Sequence, residues 1–442
     1  MPVKRPLCAL LVLLLCLPLT AQAKDAIPVT MRMTPYQAEF SFSIPDQEYV
    51  YVTYDTRFDT GEMVLYAPDG NFSGVCCLPG SGTAMKMGIN VYTLAGKALV
   101  RDGANTVADP NPPKPAAGLE QMKAVNKITD MELVPQADGV HYRFTLPGRD
   151  SVVIRYSSPQ EKHTVTVCCG AEYVYEGVLA MPYTYADDNV TVTVLTVGSS
   201  NQLYQETVKA YYQPPEVIEK AAEGRLSGVT VCIDPGHQRQ TQVETVPLGP
   251  NFNSTTTTTV GMAQGVITGR RESQGVLEIG HLLRNALLAE GADVVMTREV
   301  QDTFVGMLER ADIPNNAGAD FVLRLHINYR SDNSIQGIQV YCPLSSSYAQ
   351  EVADEDTYRV MGTTLLDAMK ASTGVTKGNC TLNNTYVGNN WSKMPSFLVE
   401  MGYMSNRTED LKLACPHYQM LLVQGMVEGL VKLSQLRGLI DK

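Results

Sequence analysis

Near residue 229 the hydrophobic period of this chain changes, and few arrangements accommodate both halves. Upstream, runs such as YVYVTYDTRF, EMVLYAPDG, INVYTLAG, GVHYRFTLPG, SVVIRYSS and VTVTVLTVG alternate apolar and polar residues between Gly, Pro and Asp breaks. That is the period of half-buried antiparallel strands. Downstream, apolar strands alternate with helical stretches. Strands are expected at 229–233, 293–297, 320–326, 337–342 and 396–401, and helices at about 273–290, 305–313, 349–373 and 417–435. Runs such as FVLRL are apolar on both faces, as in a sheet covered by helices. The expected fold is an α/β C-terminal domain over 229–438, a mostly parallel sheet flanked by helices. One or two small all-β sandwich-like modules, 28–104 and 125–212, precede it. The Pro/Gly/Ala-rich segment around 105–124 and the segment 213–228 read as linkers, the second with a short helix from Glu216. VCC occurs at 75–77 and again at 167–169, which suggests tandem copies of one sandwich.

A chain of 442 residues is long enough for two or three such domains. Its net charge of −11 argues against nucleic acid, because no basic patch emerges to displace phosphate counterions. At the N-terminus, Lys4 and Arg5 precede an apolar stretch and then Ala21-Gln22-Ala23, the layout of a secretory signal over 1–23. The apolar run is short for a membrane span, and no later segment could cross a bilayer. The mature protein is therefore expected outside the cytoplasm, periplasmic or extracellular. Eight cysteines follow the leader, an even number that permits disulfides, but no C-x-x-C spacing appears. Small buried hydrophobes account for them equally well.

In open α/β sheets, ligand-binding groups collect at the carboxyl ends of strands. His237 follows the first strand in VTVCIDPGHQ, His326 ends FVLRLHINY, and Glu400 ends PSFLVEMGY. An apolar strand gains no packing from finishing in histidine or glutamate. Two imidazoles and a carboxylate can hold a tetrahedral zinc with one open position. Spacing alone leaves the third ligand open between Glu272, just before the first helix, and the pair Glu278 and His281 within it.

Four segments in order, VTVCIDPGHQ, RRESQGVLEIGHLLRNALLAEGADVVMTRE, LERADIPNNAGADFVLRLHIN and MPSFLVEMGYMSNRTEDLKL, resemble the zinc-dependent N-acetylmuramoyl-L-alanine amidases over about 228–437. The resemblance implies zinc held by His237, Glu272 and His326, with Glu400 as the catalytic base. The family's metal-binding glutamate, counted back from Thr297, falls on Glu272 and not on Glu278. The resemblance also implies peptidoglycan as substrate and the bond between muramic lactyl and L-alanine as target. A non-catalytic wall-binding protein and a zinc peptidase acting on another amide are the competing readings.

The chain departs from the family at three places, Pro314, Tyr329-Arg330 and the insert 239–271. Pro314 is expected to end its helix early. Tyr329-Arg330 follow His326 where small residues are common. The insert 239–271, with NSTTTTT at its centre, reads equally as a flap near the metal or a passive surface loop. Asn389-Asn390-Trp391, holding the only tryptophan, either borders the cleft or caps a loop. Arg298 and Arg310 are expected to be structural ion-pair residues, and His141, His163 and His417 carry no chemistry.

Overall fold

The central strands of the upstream half bury alternate residues, and the same inner faces recur about a hundred residues later. In the computed structural model, residues 27–441 are described apart from 35–36, 57–59, 79–83, 108–113, 137–138, 159–161, 182–188, 200, 210–214, 239–242, 258–262, 302 and 345–346. The expected leader 1–23 lies outside the described residues. The first seven strands are β1 (Thr30–Met33), β2 (Gln37–Ser43), β3 (Tyr49–Thr56), β4 (Thr60–Tyr66), β5 (Asn71–Cys77), β6 (Lys86–Tyr92) and β7 (Ala98–Asn105). The next seven are β8 (Thr129–Gln136), β9 (Gly139–Thr145), β10 (Ser151–Ser157), β11 (Lys162–Cys168), β12 (Val174–Leu179), β13 (Asn189–Thr196) and β14 (Gln202–Lys209).

One sheet of the first set runs β1-β2-β5, and its partner runs β4-β3-β6-β7. The second set repeats this order as β12-β9-β8 and β14-β13-β10-β11. Ala38, Phe40 and Phe42 of β2 match Val140, Tyr142 and Phe144 of β9. Val50, Val52 and Tyr54 of β3 match Val152, Ile154 and Tyr156 of β10. The two sets keep separate apolar cores. Their larger sheets are continuous through one residue pair, Lys162 and Thr60. The VCC echo does not mark this repeat: Cys76 and Cys77 end β5, whereas Cys168 ends β11, the counterpart of β4. The seven cysteines whose side chains are described are free thiols.

The α/β part contains β15 (Thr230–Pro235), a small hairpin of β16 (Thr245–Pro247) and β17 (Thr255–Thr257), α1 (Glu272–Ala289), β18 (Asp293–Met296) and α2 (Glu309–Ala317). Then come β19 (Phe321–Asn328), β20 (Ile338–Pro343), α3 (Ser347–Val352), α4 (Glu355–Thr373), β21 (Gly378–Asn383), α5 (Val387–Trp391), β22 (Ser396–Tyr403), α6 (Arg407–Leu413) and α7 (Pro416–Leu436). The sheet order is β18-β15-β19-β22-β20-β21, parallel except where β20 meets β22. Helices α1, α4 and α7 bury their apolar faces against it in one large core.

Three expectations change. The helix expected over 349–373 is two helices, because Asp354 caps α4 by accepting the Thr357 amide proton at 2.8 Å. The helix expected from Glu216 is absent. The carbonyls of Pro215 and Glu216 instead accept hydrogen bonds from Arg284 and Asn285 of α1, which holds the segment against that helix. Pro314 does not end its helix, which continues to Ala317. Proline cannot donate to the carbonyl four residues back, that of Arg310, and the Arg324 guanidinium donates to it instead at 3.3 Å.

Candidate metal centre

β15 ends in Asp234-Pro235, and the chain turns sharply so that His237 adopts φ +55°, a left-handed backbone uncommon outside glycine. Gly236 lets the turn pass over the His326 ring: a Cβ there would lie 2.3 Å from His326 Cε1. His326 sits near the end of the adjacent β19, in register with Glu400 of β22. Glu272 is the first residue of α1, where the helix dipole favours negative charge.

These elements bring three side chains together. Glu272 Oε2 lies 3.2 Å from His237 Nε2, and Glu272 Oε1 lies 3.0 Å from His326 Nδ1. The two imidazoles meet edge to face with centroids 5.0 Å apart. One ligand atom from each residue lies within 4.8 Å of the other two. The amides of Ile327 and Ala263 donate to Oε1 at 3.1 Å and Oε2 at 3.2 Å, fixing the carboxylate plane. Burial pushes the Glu272 carboxyl up, but its contacts with His237 and His326 outweigh this and hold it well below the usual carboxylate range. Burial lowers His326 from its ordinary value, against the opposing effect of the Glu272 carboxylate.

Glu400 stands apart from this trio. Its Oε2 is buried with no hydrogen-bond partner among the described residues. Burial pushes its carboxyl well above the ordinary range, the negative charge of Glu272 adds to this, and Arg330 opposes it.

The alternative third ligands lie elsewhere. Glu278 pairs with Arg270, itself buried. His281 is fully buried inside α1, with its imidazole lowered to about 4 by burial and then by Arg284 and Arg298. Arg298 donates to the carbonyls of Pro235, Gly236 and Ser273. Arg310 donates to those of Pro235 and His237. Both therefore hold the turn that presents His237.

Sequence reasoning missed the centre of that scaffold. Asp234 accepts Arg310 and Arg324 at 2.6 Å each and Thr297 Oγ1 at 2.6 Å. Arg324 in FVLRL interrupts an apolar strand, and this was the available signal. Within the insert 239–271, which reads equally as a flap or a surface loop, the β16–β17 hairpin is tied to α5: Trp391 Nε1 donates to Pro247 O and Asn390 Nδ2 to Leu248 O. Of the histidines without assigned chemistry, His163 stacks on Tyr156 and His417 on Tyr66.

Residues 231–432 match the family model described as N-acetylmuramoyl-L-alanine amidase. Over 205 residues, 46% of this chain, the sequence is 27% identical to the probable cell wall amidase LytH of Staphylococcus aureus. The match spans 58% of that protein's length. Among solved structures, the chain is similar to an N-acetylmuramoyl-L-alanine amidase from Clostridium difficile 630, at 25% identity and TM-score 0.37, covering 47% of this chain and 97% of that one. It is also similar to Ami1 from Mycobacterium smegmatis, at 21% identity and TM-score 0.42, again covering 47% and 97%. The α/β half of the chain, residues 231–432, is thus a domain of the N-acetylmuramoyl-L-alanine amidase family.

Proposed function

We propose that this chain is an exported, zinc-dependent peptidoglycan hydrolase that cleaves the amide between the lactyl group of muramic acid and L-alanine of the stem peptide. The observation that carries this reading is the convergence of His237, Glu272 and His326 in an amidase-family domain, with Oε2 of Glu400 buried on the neighbouring strand. Two imidazoles and a carboxylate are a donor set suited to zinc, and such sites keep a fourth position open. On this reading the chain comprises a leader 1–23, β modules 28–104 and 125–212, and a catalytic domain 229–438.

His237, Glu272 and His326 would hold the ion. Zinc supplies Lewis acidity toward the amide and the attacking water. Glu400, with no hydrogen bond to its Oε2, is free to take the proton of that water and to deliver it to the leaving nitrogen. Burial and the nearby charge of Glu272 raise its proton affinity above that of an ordinary carboxylate, against Arg330, which supports a role in proton transfer.

Digestion of purified peptidoglycan, with products read by mass, tests the reaction. Stem peptides with a free L-alanine N-terminus and intact glycan strands are expected; cleaved glycan or cleavage within the stem would overturn it. Glu400→Gln should keep stoichiometric zinc and lose about 10²–10⁴-fold in turnover. A mutant that loses zinc would instead make Glu400 a ligand.

A further inference from the structure

Glu272 does not hold its own position. Its Oε2 accepts the Ala263 amide proton at 3.2 Å, and its own amide donates to the Ala263 carbonyl at 2.9 Å. Residues 263–271 form a tight turn leading into α1. Gln264 bridges Arg271, and the Gly265 amide donates to the Arg270 carbonyl at 2.9 Å.

This turn is gripped from outside by α6. Asp410 Oδ2 accepts the amides of Ile267 and Thr268 at 2.7 Å and 3.0 Å, and Oδ1 accepts the Thr268 hydroxyl at 2.7 Å. A Cβ at Gly265 would lie 2.2 Å from Asp410 Oδ1, so the turn lies directly on the carboxylate. The Arg270 guanidinium donates to the Leu413 carbonyl at 3.2 Å.

The first sandwich covers α6 in turn. Tyr51 and Leu94 pack with Leu411 and Ile267 in an apolar cluster separate from the sandwich's own core. Arg407 Nε donates to the Leu94 carbonyl at 3.2 Å, and its guanidinium lies over the Tyr51 ring. Lys412 lies over Tyr49, and His417 stacks on Tyr66 with centroids 3.6 Å apart. A continuous set of contacts therefore runs from β3 and Leu94 through α6 to Ile267, Thr268, Ala263 and Glu272.

We propose that Asp410 is a positioning residue of the metal site and that the first sandwich, docked through Tyr51 and Leu94, clamps the 263–271 turn that aims Glu272. The inference rests on the reading of Glu272 as a zinc ligand. It makes the first sandwich a working part of the hydrolase, and any partner that lifts it from α6 would weaken the site.

The test uses the full chain and two measurements: zinc affinity by competition with a chromogenic chelator, and amide exchange over 263–271. Asp410→Ala is expected to weaken zinc binding about tenfold, the lower end of the cost of losing a direct outer partner of a metal ligand because Asp410 acts on Glu272 through the turn, and to speed exchange at Ile267 and Thr268. Asp410→Asn can accept the two backbone protons and donate to the Thr268 hydroxyl, so it should return affinity to within about threefold of native. Leu94→Asp lies outside both the sandwich core and the site. It should undock the sandwich, speed exchange across the turn and weaken zinc about tenfold.

Native zinc affinity in Asp410→Ala or Leu94→Asp, with exchange of the turn accelerated, would overturn the proposal. So would an Asp410→Asn chain as weak as Asp410→Ala. Should Asp410→Ala not fold, Leu94→Asp decides alone. If the native chain binds no zinc in the same titration, the ligand reading fails, and the exchange rates still decide whether the sandwich orders the turn.

Discussion

Two glutamates six positions apart in α1 have opposite surroundings, and each sets an expectation. Glu272 faces both imidazoles, whereas Glu278 faces Arg270. Glu272→Ala should strip zinc. Glu278→Ala should keep zinc yet cost about 3 kcal/mol, because it leaves a buried guanidinium without its carboxylate. Metal analysis and urea unfolding on the same preparations separate the two, and the reverse pattern would move the ligand to Glu278. Asp234 gives a pH dependence. Burial pushes its carboxyl up, but Arg310, Arg324 and Thr297 hold it below its unfolded value. Its contribution to stability is therefore fully present above the unfolded carboxyl value of about 3.9 and lost as pH falls below it. Urea midpoints for native and Asp234→Asn chains should differ most at neutral pH, and the difference should shrink progressively as pH falls below about 4 toward the depressed folded value; a gap independent of pH would exclude the carboxylate's charge as the cause. His237, His326 and Glu400 were legible in the sequence because a polar residue at the end of an apolar strand needs a reason. Asp234 was not legible, since its partners Arg310 and Arg324 come from distant segments and only the fold brings them together.

At the scale of elements, the long periodic segments were readable and the short ones were not. Helices α1 and α7 announce themselves through apolar residues at helical spacing. α5 and the strands of the β16–β17 hairpin are three to five residues long, too short to carry a period, and β21 buries no residue fully and so shows no alternation; contacts across the fold fix them all. Pro314 was misread for the same reason: the donor that replaces its missing N–H comes from Arg324, across the fold. The hairpin gives its own expectation. Trp391 donates to Pro247 at 3.0 Å and Asn390 to Leu248 at 2.9 Å. Trp391→Phe keeps a ring but removes a donor worth about 1 kcal/mol. Limited proteolysis should then cut within 245–257 before it cuts elsewhere. Unchanged cleavage order would mean that the hairpin is held by its own strands.

For the molecule as a whole, the β half and the α/β half share buried surface. Tyr49, Val64 and Tyr66 pack against the large α/β core, and Leu411 is covered by Tyr51 and Leu94. A fragment from about 224 to 442 retains that core and should fold. Uncovering Leu411 alone forfeits about 2 kcal/mol, so the fragment's Tm should lie roughly 6 °C below the corresponding transition of the full chain. Equal Tm values would mean that the contact adds nothing. The repeat of strand order across β1–β7 and β8–β14 has a different consequence. Inward residues correspond one for one, but the docking tyrosines do not: Tyr49 and Tyr51 of β3 stand where β10 has Ser151 and Val153. The two sandwiches are thus interchangeable as folds and not as surfaces. A chimaera with the second copy spliced into the place of the first would be a sound building block with the wrong face, leaving α6 bare.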